Sequence, residues 1–343
     1  MKILFVGANK GNSKNTFKSL KRIYPKTKIL DTSRILGKIQ YKIFYHASPS
    51  FFNSSINNFY KSNITNHYDL IFFMNVEYIN EQSLKTIKEY SNKTLFYCAD
   101  NPFVSRDKYR WALVKNIISK FDTVLFHQRS REKYVKKYKI KNYLTILPPY
   151  FKNIQQINSN NFKKKKNIVF VGTWFPERGK FFYELKKRGL EVDIYGLGWN
   201  KDKKYYKYLS KNIVLKFLSQ KQVATTISKY KIAIGLLSKE NYDDITRRTI
   251  EIPATGTLLC SERTSTIKKI LTENKEAIFF DDTNECTHKC KYLLNNLKVL
   301  FDITKNGNKK ITKILRPEAD RVFKKVINIS YFKKNNNKFI YKF

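Results

Sequence analysis

The stretch NIVFVGTWFPERGKFFYELKKRG, residues 167–189, decides the fold of this 343-residue chain. A short apolar run ends at Gly172, and a turn then leads past Pro176 into a helix pattern. The chain begins with a similar stretch, KILFVGANKG, residues 2–11. Strand and helix patterns alternate after both stretches. This order predicts two successive α/β halves, each built on a doubly wound parallel sheet with helices on both faces.

The segment FKNIQQINSNNFKKKKN, residues 151–167, is polar and rich in Asn and Lys, and we interpret it as a linker. The predicted organisation is an N-terminal Rossmann-like domain over 1–150, a linker over 151–166, a C-terminal Rossmann-like domain over 167–310, and a helix with a basic tail over 311–343. The four lysines Lys163–Lys166 form either a phosphate or membrane patch or a solvated charge run. We expect the terminal helix to pack back across the domains.

Charge dominates the composition, with 68 Lys and Arg, 27 Asp and Glu, and a formal net charge of +41. Such charge attracts phosphates and anionic membranes, but Lys and Asn enrichment from an AT-rich genome accounts for it as well. A content of 42% hydrophobic residues excludes a disordered basic tail. No run approaches the ~20 apolar residues of a spanning helix, so we expect a cytoplasmic protein, soluble or peripheral at the inner membrane surface.

Cysteine spacing gives little support for a metal site. Cys286 and Cys290 lie one helical turn apart, while Cys98 and Cys260 are distant in sequence. A zinc site needs a second ligand pair at suitable spacing, which the sequence lacks. We therefore interpret these thiols as packed side chains in a reducing compartment and predict neither a metal nor a cofactor.

Ligands of open α/β sheets bind beyond the carboxyl ends of the strands. In the second half, the residues predicted at this edge are Gly172, Thr173, Trp174, Arg178, Gly196, Gly198 and Trp199. A glycine turn at a helix N-terminus suits a phosphate group. The two tryptophans either stack on a base or sugar or simply pack at the edge.

A second charged stretch, TRRTIEIPATGTLLCSERT, spans residues 246–264. Arg247 and Glu251 are four residues apart, so they share one face of a helix. One interpretation is an exposed ladder of ion pairs. Because the helix leads directly into an apolar strand, the alternative is a partly buried carboxylate that binds a ribose diol beside an arginine that pairs with a diphosphate.

The block GLLSKENYDDITRRTIEIPATGTLLCSERTSTIKKILTENKEAIFF, residues 235–280, resembles the signature of CgeB-like (spore-maturation type) GT-B glycosyltransferases. Segments 170–199 and 97–138 resemble other motifs of the same group, so the likeness spans most of residues 95–280. The matching residues of the block are Lys239, Asn241, Asp244, Arg248, Glu251, Ile252, Pro253, Ala254, Gly256, Glu262, Arg263, Thr264, Glu276, Ala277, Phe279 and Phe280. This sequence departs from the group in having Asp243 for a glutamate, Ile250 for a phenylalanine and Ala99 for an aspartate.

The resemblance implies a GT-B fold, with two Rossmann-like domains facing a central cleft. It also implies metal-independent transfer of a sugar from a nucleotide-diphosphate sugar to an acceptor hydroxyl. The residues implied to bind the donor are Gly172, Thr173, Trp174, Arg178, Gly198, Trp199, Lys239, Asn241, Arg248, Glu251 and Gly256. Among these, Arg248, Arg178 or Lys239 would stabilise the diphosphate, and Glu251 would hold the ribose.

Three residues are expected to be catalytic: Asp100, His127 and Asp243. Asp100 would orient or deprotonate the acceptor hydroxyl, unless it only caps the following helix. His127 is an alternative base, and His46 is a weaker one. Asp243 stands where the group has a donor-sugar glutamate.

Two other functions stay open at this stage. One is a GT-B relative that binds a nucleotide or glycan without turnover, and the other is a basic polyanion-binding protein. The expected partners are a nucleotide-sugar donor, an acceptor that is a glycan, a lipid-linked molecule or a protein, and an anionic membrane surface, with no specific nucleic acid.

Overall fold

The computed structural model describes residues 1–157, 166–332 and 338–339. The chain folds into two units, each with its own parallel sheet and core. The first unit comprises Met1–Leu147, Ser238–Asp243 and the helix that begins at Ala319. The second comprises Pro148–Leu237 and Asp244–Glu318.

The N-terminal part alternates strands and helices as the sequence predicts. Its strands are β1 (Ile3–Gly7), β2 (Lys28–Asp31), β3 (Tyr68–Met74), β4 (Ser91–Tyr97), β5 (Thr123–Phe126) and β6 (Tyr143–Thr145). Its helices are α1 (Gly11–Ile23), α2 (Lys38–His46), α3 (Asn53–Asn63), α4 (Glu81–Glu89) and α5 (Ala112–Ile117). Short 3₁₀ turns cover Thr32–Arg34, Pro49–Phe52, Ile118–Lys120 and Arg129–Tyr134.

The second unit repeats the alternation. Its strands are β7 (Lys166–Val171), β8 (Asp193–Tyr195), β9 (Ile213–Val214), β10 (Tyr230–Gly235), β11 (Leu258–Glu262) and β12 (Ile278–Phe280). Its helices are α6 (Lys152–Gln155), α7 (Pro176–Lys187), α8 (Tyr206–Leu209), α9 (Gln220–Ile227), α10 (Arg248–Ala254), α11 (Ser265–Ile270), α12 (Thr283–Asn295) and α13 (Leu297–Lys309). Turns at Trp199–Lys201 and Ser210–Asn212 are 3₁₀, and Lys310–Leu315 forms a π-helical turn.

The last elements are α14 (Ala319–Phe332) and β13 (Lys338–Phe339). With them, the first sheet has the order β13-β6-β5-β4-β3-β1-β2, and the second has the order β12-β11-β10-β7-β8-β9. All strand pairs in both sheets are parallel. This confirms two doubly wound α/β units.

Helix α14 belongs to the first unit. Phe323 is fully buried and meets the ring of Phe72 at 5.8 Å between centroids. Asp320 accepts hydrogen bonds from Ser19 and Arg22 of α1 at 2.5 and 2.6 Å. These contacts place the terminal helix against α1 and β3.

The beginning of the predicted linker is packed structure. Tyr150 donates its backbone N–H to Pro317, and Gln155 of α6 is 1% exposed. The side chain of Gln155 is held by the backbone N–H of Phe151 at 2.6 Å. Residues 158–165, which include Lys163, Lys164 and Lys165, lie outside the described residues.

The C-terminal part of the second unit contains two successive helices. Helix α12 ends at Asn295 and α13 begins at Leu297, because Asn296 leaves the helical conformation at φ −122° and ψ 66°. Among the described residues, none of these helices has the length and apolar character needed to cross a bilayer.

Candidate functional site

The carboxyl ends of β7 and β8 meet at a turn formed by Val171, Gly172 and Thr173. The indole N–H of Trp199 donates to the carbonyl of Gly172 at 3.0 Å. A side chain at Gly196 would place its Cβ 2.0 Å from that same carbonyl oxygen, so only glycine allows this approach. The predicted turn residues are therefore neighbours in the structure.

Two arginines reach this turn from different helices. Arg178 of α7 donates to the carbonyl of Thr173 at 2.6 Å. Arg248 of α10 donates its Nε–H to the carbonyl of Val171 at 3.2 Å. Both guanidinium groups thus lie at the strand edge where α/β sheets bind their ligands.

Glu251 anchors the second of these arginines. Its carboxylate accepts hydrogen bonds from Arg247 Nε at 3.0 Å and from Gln155 at 2.5 Å, and it also pairs with Arg248. The Glu251 side chain is only 4% exposed. Both of its oxygens are engaged by protein groups, so the structure favours a role in positioning the arginines over the predicted direct contact with a ribose.

The charge state of Glu251 follows from this environment. Burial alone would raise the pKa of the carboxyl group. The positive charges of Arg248 and Arg247 outweigh burial, so the pKa lies below its usual range. Glu251 is therefore ionised at neutral pH, and each arginine has a fixed counter-charge beside it.

Arg247 has a hydrogen-bond donor that the described protein groups do not use. In the part of the chain that the structure describes, its buried Nη2 atom has no hydrogen-bond acceptor. A buried donor without a partner costs about 1–3 kcal/mol. An incoming anion would remove that cost. The sequence pairs Arg247 with Glu251 on one helix face, but the residues that the resemblance implies for the donor do not include Arg247.

The remaining residues predicted at this edge have structural positions. Trp199 is 1% exposed, so it cannot stack on a ligand; it holds the turn instead. Trp174 donates its indole N–H to Asp202 at 2.9 Å. Gly198 and Gly256 have φ values of 82° and 68°, the left-handed region that favours glycine.

Three consecutive residues, Glu262, Arg263 and Thr264, stabilise the second unit. Glu262 accepts the backbone N–H of Leu237 at 2.5 Å, and Thr264 caps α11. Arg263 pairs with Glu273 and Glu285 at 2.8 and 2.7 Å. These residues hold loops and helix ends together.

Lys239, Asn241 and Asp243 belong to the first unit, although the sequence assigned them to the second half. Asp243 pairs with Arg131 at 3.2 Å, and the two side chains are 8% and 2% exposed. Asn101 donates its backbone N–H to Asn241 Oδ1 and its side-chain amide to the Asn241 carbonyl, both at 3.1 Å. Because Asp243 lies in this buried ion pair, the structure argues against its predicted catalytic role. The side chain of Lys239 is exposed.

Asp100 lies in a carboxylate–arginine cluster that follows strands β3 and β4. It pairs with Arg110 at 3.2 Å and with Arg106 at 3.7 Å, and its side chain is 34% exposed. Glu77 also accepts from Arg110, at 2.8 Å, and burial raises the Glu77 pKa against the opposing effect of that arginine. Asp100 does not cap α5, whose N-cap residue is Trp111.

His127 is buried at the end of β5, with an exposure of 5%. Its Nε2 atom lies 3.4 Å from the amide nitrogen of Gln128. His127 is therefore placed at the predicted sheet edge but is shielded from solvent. Asp100 is the most accessible of the three residues predicted to be catalytic.

Glu251→Gln is expected to destabilise the protein by about 3 kcal/mol at pH 7, because it removes one partner of a buried ion pair. The folded-state pKa of Glu251 is lowered, so its contribution is complete above the unfolded value of about 4.3 and is lost as pH falls through the folded value. Urea unfolding of both proteins between neutral and acidic pH measures this.

The stability gap between wild type and Glu251→Gln should narrow below about pH 4.3. The exposed Glu89 of α4 provides the control, and Glu89→Gln should leave stability nearly unchanged at every pH. A gap of constant size across the pH range would contradict the ion-pair account.

Comparison with known proteins agrees with this architecture. Residues 178–316 match the family model described as glycosyl transferase-like. A search among curated proteins returns no match.

Several solved structures share the fold. Sucrose-phosphate synthase from Thermosynechococcus elongatus superposes with a TM-score of 0.71 at 11% identity, covering 97% of this chain and 99% of its own. HepE from Anabaena, solved with UDP-glucose, gives 0.69 at 10% identity over 96% and 98% of the two chains. The pneumococcal O-GlcNAc transferase GtfA, with UDP and GlcNAc, gives 0.58 at 13% identity over 82% and 60%. The chain therefore has the GT-B fold, and its residues 178–316 are similar to the glycosyl transferase-like family.

Proposed function

We propose that this protein is a glycosyltransferase that moves a sugar from a nucleoside-diphosphate sugar to an acceptor hydroxyl. The observation that carries the proposal is the buried Nη2 atom of Arg247, a donor without an acceptor among the described residues. It belongs to the guanidinium group that shares Glu251 with Arg248. A diphosphate supplies the acceptor oxygens that such a group binds best.

Charge balance supports an anionic ligand. Arg178, Arg247 and Arg248 carry three positive charges, and Glu251 neutralises one of them. The remaining positive charge matches a diphosphate leaving group, whose negative charge grows as the bond to the sugar breaks. Fixed guanidinium groups stabilise that charge without reorganising, which is how oxyanion-type sites accelerate transfer. The proposal therefore requires no bound metal.

Donor identity is proposed from the structural relatives. The structures of HepE contain UDP or UDP-glucose, and that of GtfA contains UDP and GlcNAc. We therefore take UDP-sugars as the first donors to test. We assign Glu251 to orienting the two arginines. We assign the turn at Gly172 and Thr173 to binding the diphosphate through the backbone of the turn.

On the acceptor side, we assign Asp100 to orienting or deprotonating the acceptor hydroxyl. Its carboxylate is partly exposed, and Arg106 and Arg110 hold it in place. A positioned carboxylate of this kind contributes about 10²–10⁴-fold to a proton-transfer step. Lys239, Asn241 and Asp243 are left out of the proposed donor site, because they belong to the first unit while Arg178, Arg247 and Arg248 belong to the second.

Saturating UDP or UDP-glucose should raise the melting temperature of the wild type, since a ligand at one hundred times its Kd adds about 2.7 kcal/mol. Arg247→Ala and Arg248→Ala should each abolish the rise, because they remove donors to the diphosphate. Differential scanning fluorimetry at physiological salt measures the effect.

Arg188→Ala is the matched control, because Arg188 forms a surface pair with Glu184 on α7 at 2.8 Å. This variant should keep the full UDP shift. If heparin stabilises wild type and all variants alike while UDP does nothing, the polyanion-binding function replaces the proposed one.

Asp100→Asn should keep the UDP shift but release glucose from UDP-glucose at least tenfold more slowly, with water as the acceptor. Coupled detection of free UDP measures the rate. Asp302→Asn, on the exposed surface of α13, is the control and should react at the wild-type rate. Equal rates for Asp100→Asn and wild type would exclude Asp100 from catalysis, and no turnover by the wild type would favour a binding-only relative.

The outer face of α2 suits an anionic membrane surface. Ile39 and Ile43 lie one turn apart and are 76% and 42% exposed, while Phe44 on the opposite side is fully buried. Lys38 and Lys42 flank the two isoleucines on the exposed side. Exposed aliphatic residues beside lysines match the boundary between acyl chains and anionic headgroups, and we propose that this face contacts the membrane.

The double substitution of Ile39→Glu with Ile43→Glu should abolish sedimentation with vesicles that contain phosphatidylglycerol. It removes the apolar contact and lowers the net positive charge of the protein by two. A matched double change, Val299→Glu with Ile314→Glu, alters residues of similar exposure in the second unit, 40% and 57%. That control should keep vesicle binding. Equal loss in both variants would show that net charge alone drives the association.

A further inference from the structure

Three of the four cysteines converge on one point in the second unit. Cys260 lies on β11, and Cys286 and Cys290 lie one turn apart on α12, which packs against it. The Sγ atom of Cys260 is 3.8 Å from that of Cys286 and 3.7 Å from that of Cys290. All three sulfur atoms lie within 4.8 Å of one another.

The cluster is enclosed by the apolar core. Cys260 is 1% exposed, and Cys286 and Cys290 are fully buried. All three are free thiols. Within the described residues, the three cysteines belong to a core cluster of hydrophobic side chains that includes Leu258, Ile278 and Phe280, and such side chains offer hard cations no oxygen ligands.

The sulfur positions fit a metal ion. A metal–sulfur bond of about 2.3 Å implies sulfur–sulfur distances of about 4.0 Å for a trigonal ion and about 3.8 Å for three corners of a tetrahedron. The distances of 3.7 and 3.8 Å from Cys260 lie close to both values, and the sulfur atoms of Cys286 and Cys290 lie within 4.8 Å of each other. A single ion would therefore bind all three sulfur atoms with little movement of the backbone.

The donor set narrows the identity of the ion. Among the described His, Cys, Asp and Glu residues, the group that meets at this point consists of the three cysteines and has no fourth member. Structural zinc is almost always four-coordinate, whereas Cu(I) is selected by thiolates and is stable with three sulfur ligands. We propose that Cys260, Cys286 and Cys290 form a thiolate site for one Cu(I) ion.

The binding step involves no electron transfer, because the ion enters as Cu(I) and leaves the sulfur atoms reduced. Each thiol that coordinates as a thiolate releases its proton to solvent. Two thiolates and one neutral thiol around Cu(I) carry one net negative charge, whereas three thiolates around Cu(I) carry two. The state with one net negative charge costs less free energy to bury. The bound ion would join α12 to β11.

Anaerobic titration of the reduced full-length protein with Cu(I), against a chromogenic Cu(I) chelator, tests the proposal. The wild type should bind one ion per chain, and bound Cu(I) should raise the melting temperature. Cys260→Ala, Cys286→Ala and Cys290→Ala should each weaken binding at least tenfold. Cys98→Ala is the matched control, because Cys98 is equally buried but lies in the first unit, and it should bind normally.

Circular dichroism of the copper-free variants identifies any that fail to fold, and the conclusion then rests on the variants that do. No binding by the wild type, or binding that survives all three substitutions, would overturn the site and leave the thiols as packing groups. Preferential binding of Zn(II) would replace the three-coordinate Cu(I) assignment with a four-coordinate one. The UDP-induced shift should persist in the Cys286→Ala protein, so failure of this proposal is distinguishable from failure of the glycosyltransferase proposal.

Discussion

The candidate site depends on one buried interaction, the pairing of Glu251 with Arg247 and Arg248. A lone carboxylate at 3% exposure would be costly to ionise, and two adjacent guanidinium groups would repel each other. Each charge is tolerated because the other is present. The pairing holds Arg248 against the carbonyl of Val171 and leaves one N–H of Arg247 without an acceptor among the described residues. The three charges around one helix thus hold hydrogen-bond donors at the edge of the sheet.

The net charge of +41 is unevenly used. Arg263 forms ion pairs with Glu273, Glu285 and Asp281, and Arg131 forms an ion pair with Asp243 inside the first unit. These arginines stabilise the fold, and their positive charge is largely neutralised by the paired carboxylates, so it attracts a ligand only weakly. The lysines of α2 are exposed beside two isoleucines, on the face that we propose contacts an anionic membrane. Position decides what each cation does, and the total charge decides only how strongly the surface attracts anions.

Much of the fold was predictable because strand and helix patterns are local. The apolar runs at β1, β3, β7 and β10 have the length and composition of buried parallel strands, and the structure confirms them. Helices α2 and α3 between β2 and β3 were not predicted from the sequence. The break at Asn296 between α12 and α13 was equally invisible in an unbroken helical pattern.

The site was predictable in part. Spacing placed Arg178 and the turn at Gly172 and Thr173 at one edge, because parallel strands of one sheet end on the same side. Arg248 was named only through the resemblance to GT-B glycosyltransferases. Spacing was unable to show that Asp243 pairs with Arg131, which is 112 residues away in sequence. It also hid the meeting of Cys260 with Cys286 and Cys290, since that contact depends on how α12 packs on β11. Long-range partners of single side chains are the information that local patterns lack.

A crystal structure of the protein soaked with UDP shows directly whether the paired arginines bind the diphosphate. We expect diphosphate oxygens within hydrogen-bond distance of Arg247 Nη2 and of the Arg248 guanidinium, beside the turn at Gly172 and Thr173, with Glu251 still paired to both arginines. UDP bound elsewhere on the chain, or a site at this turn in which neither arginine touches phosphate, would contradict it.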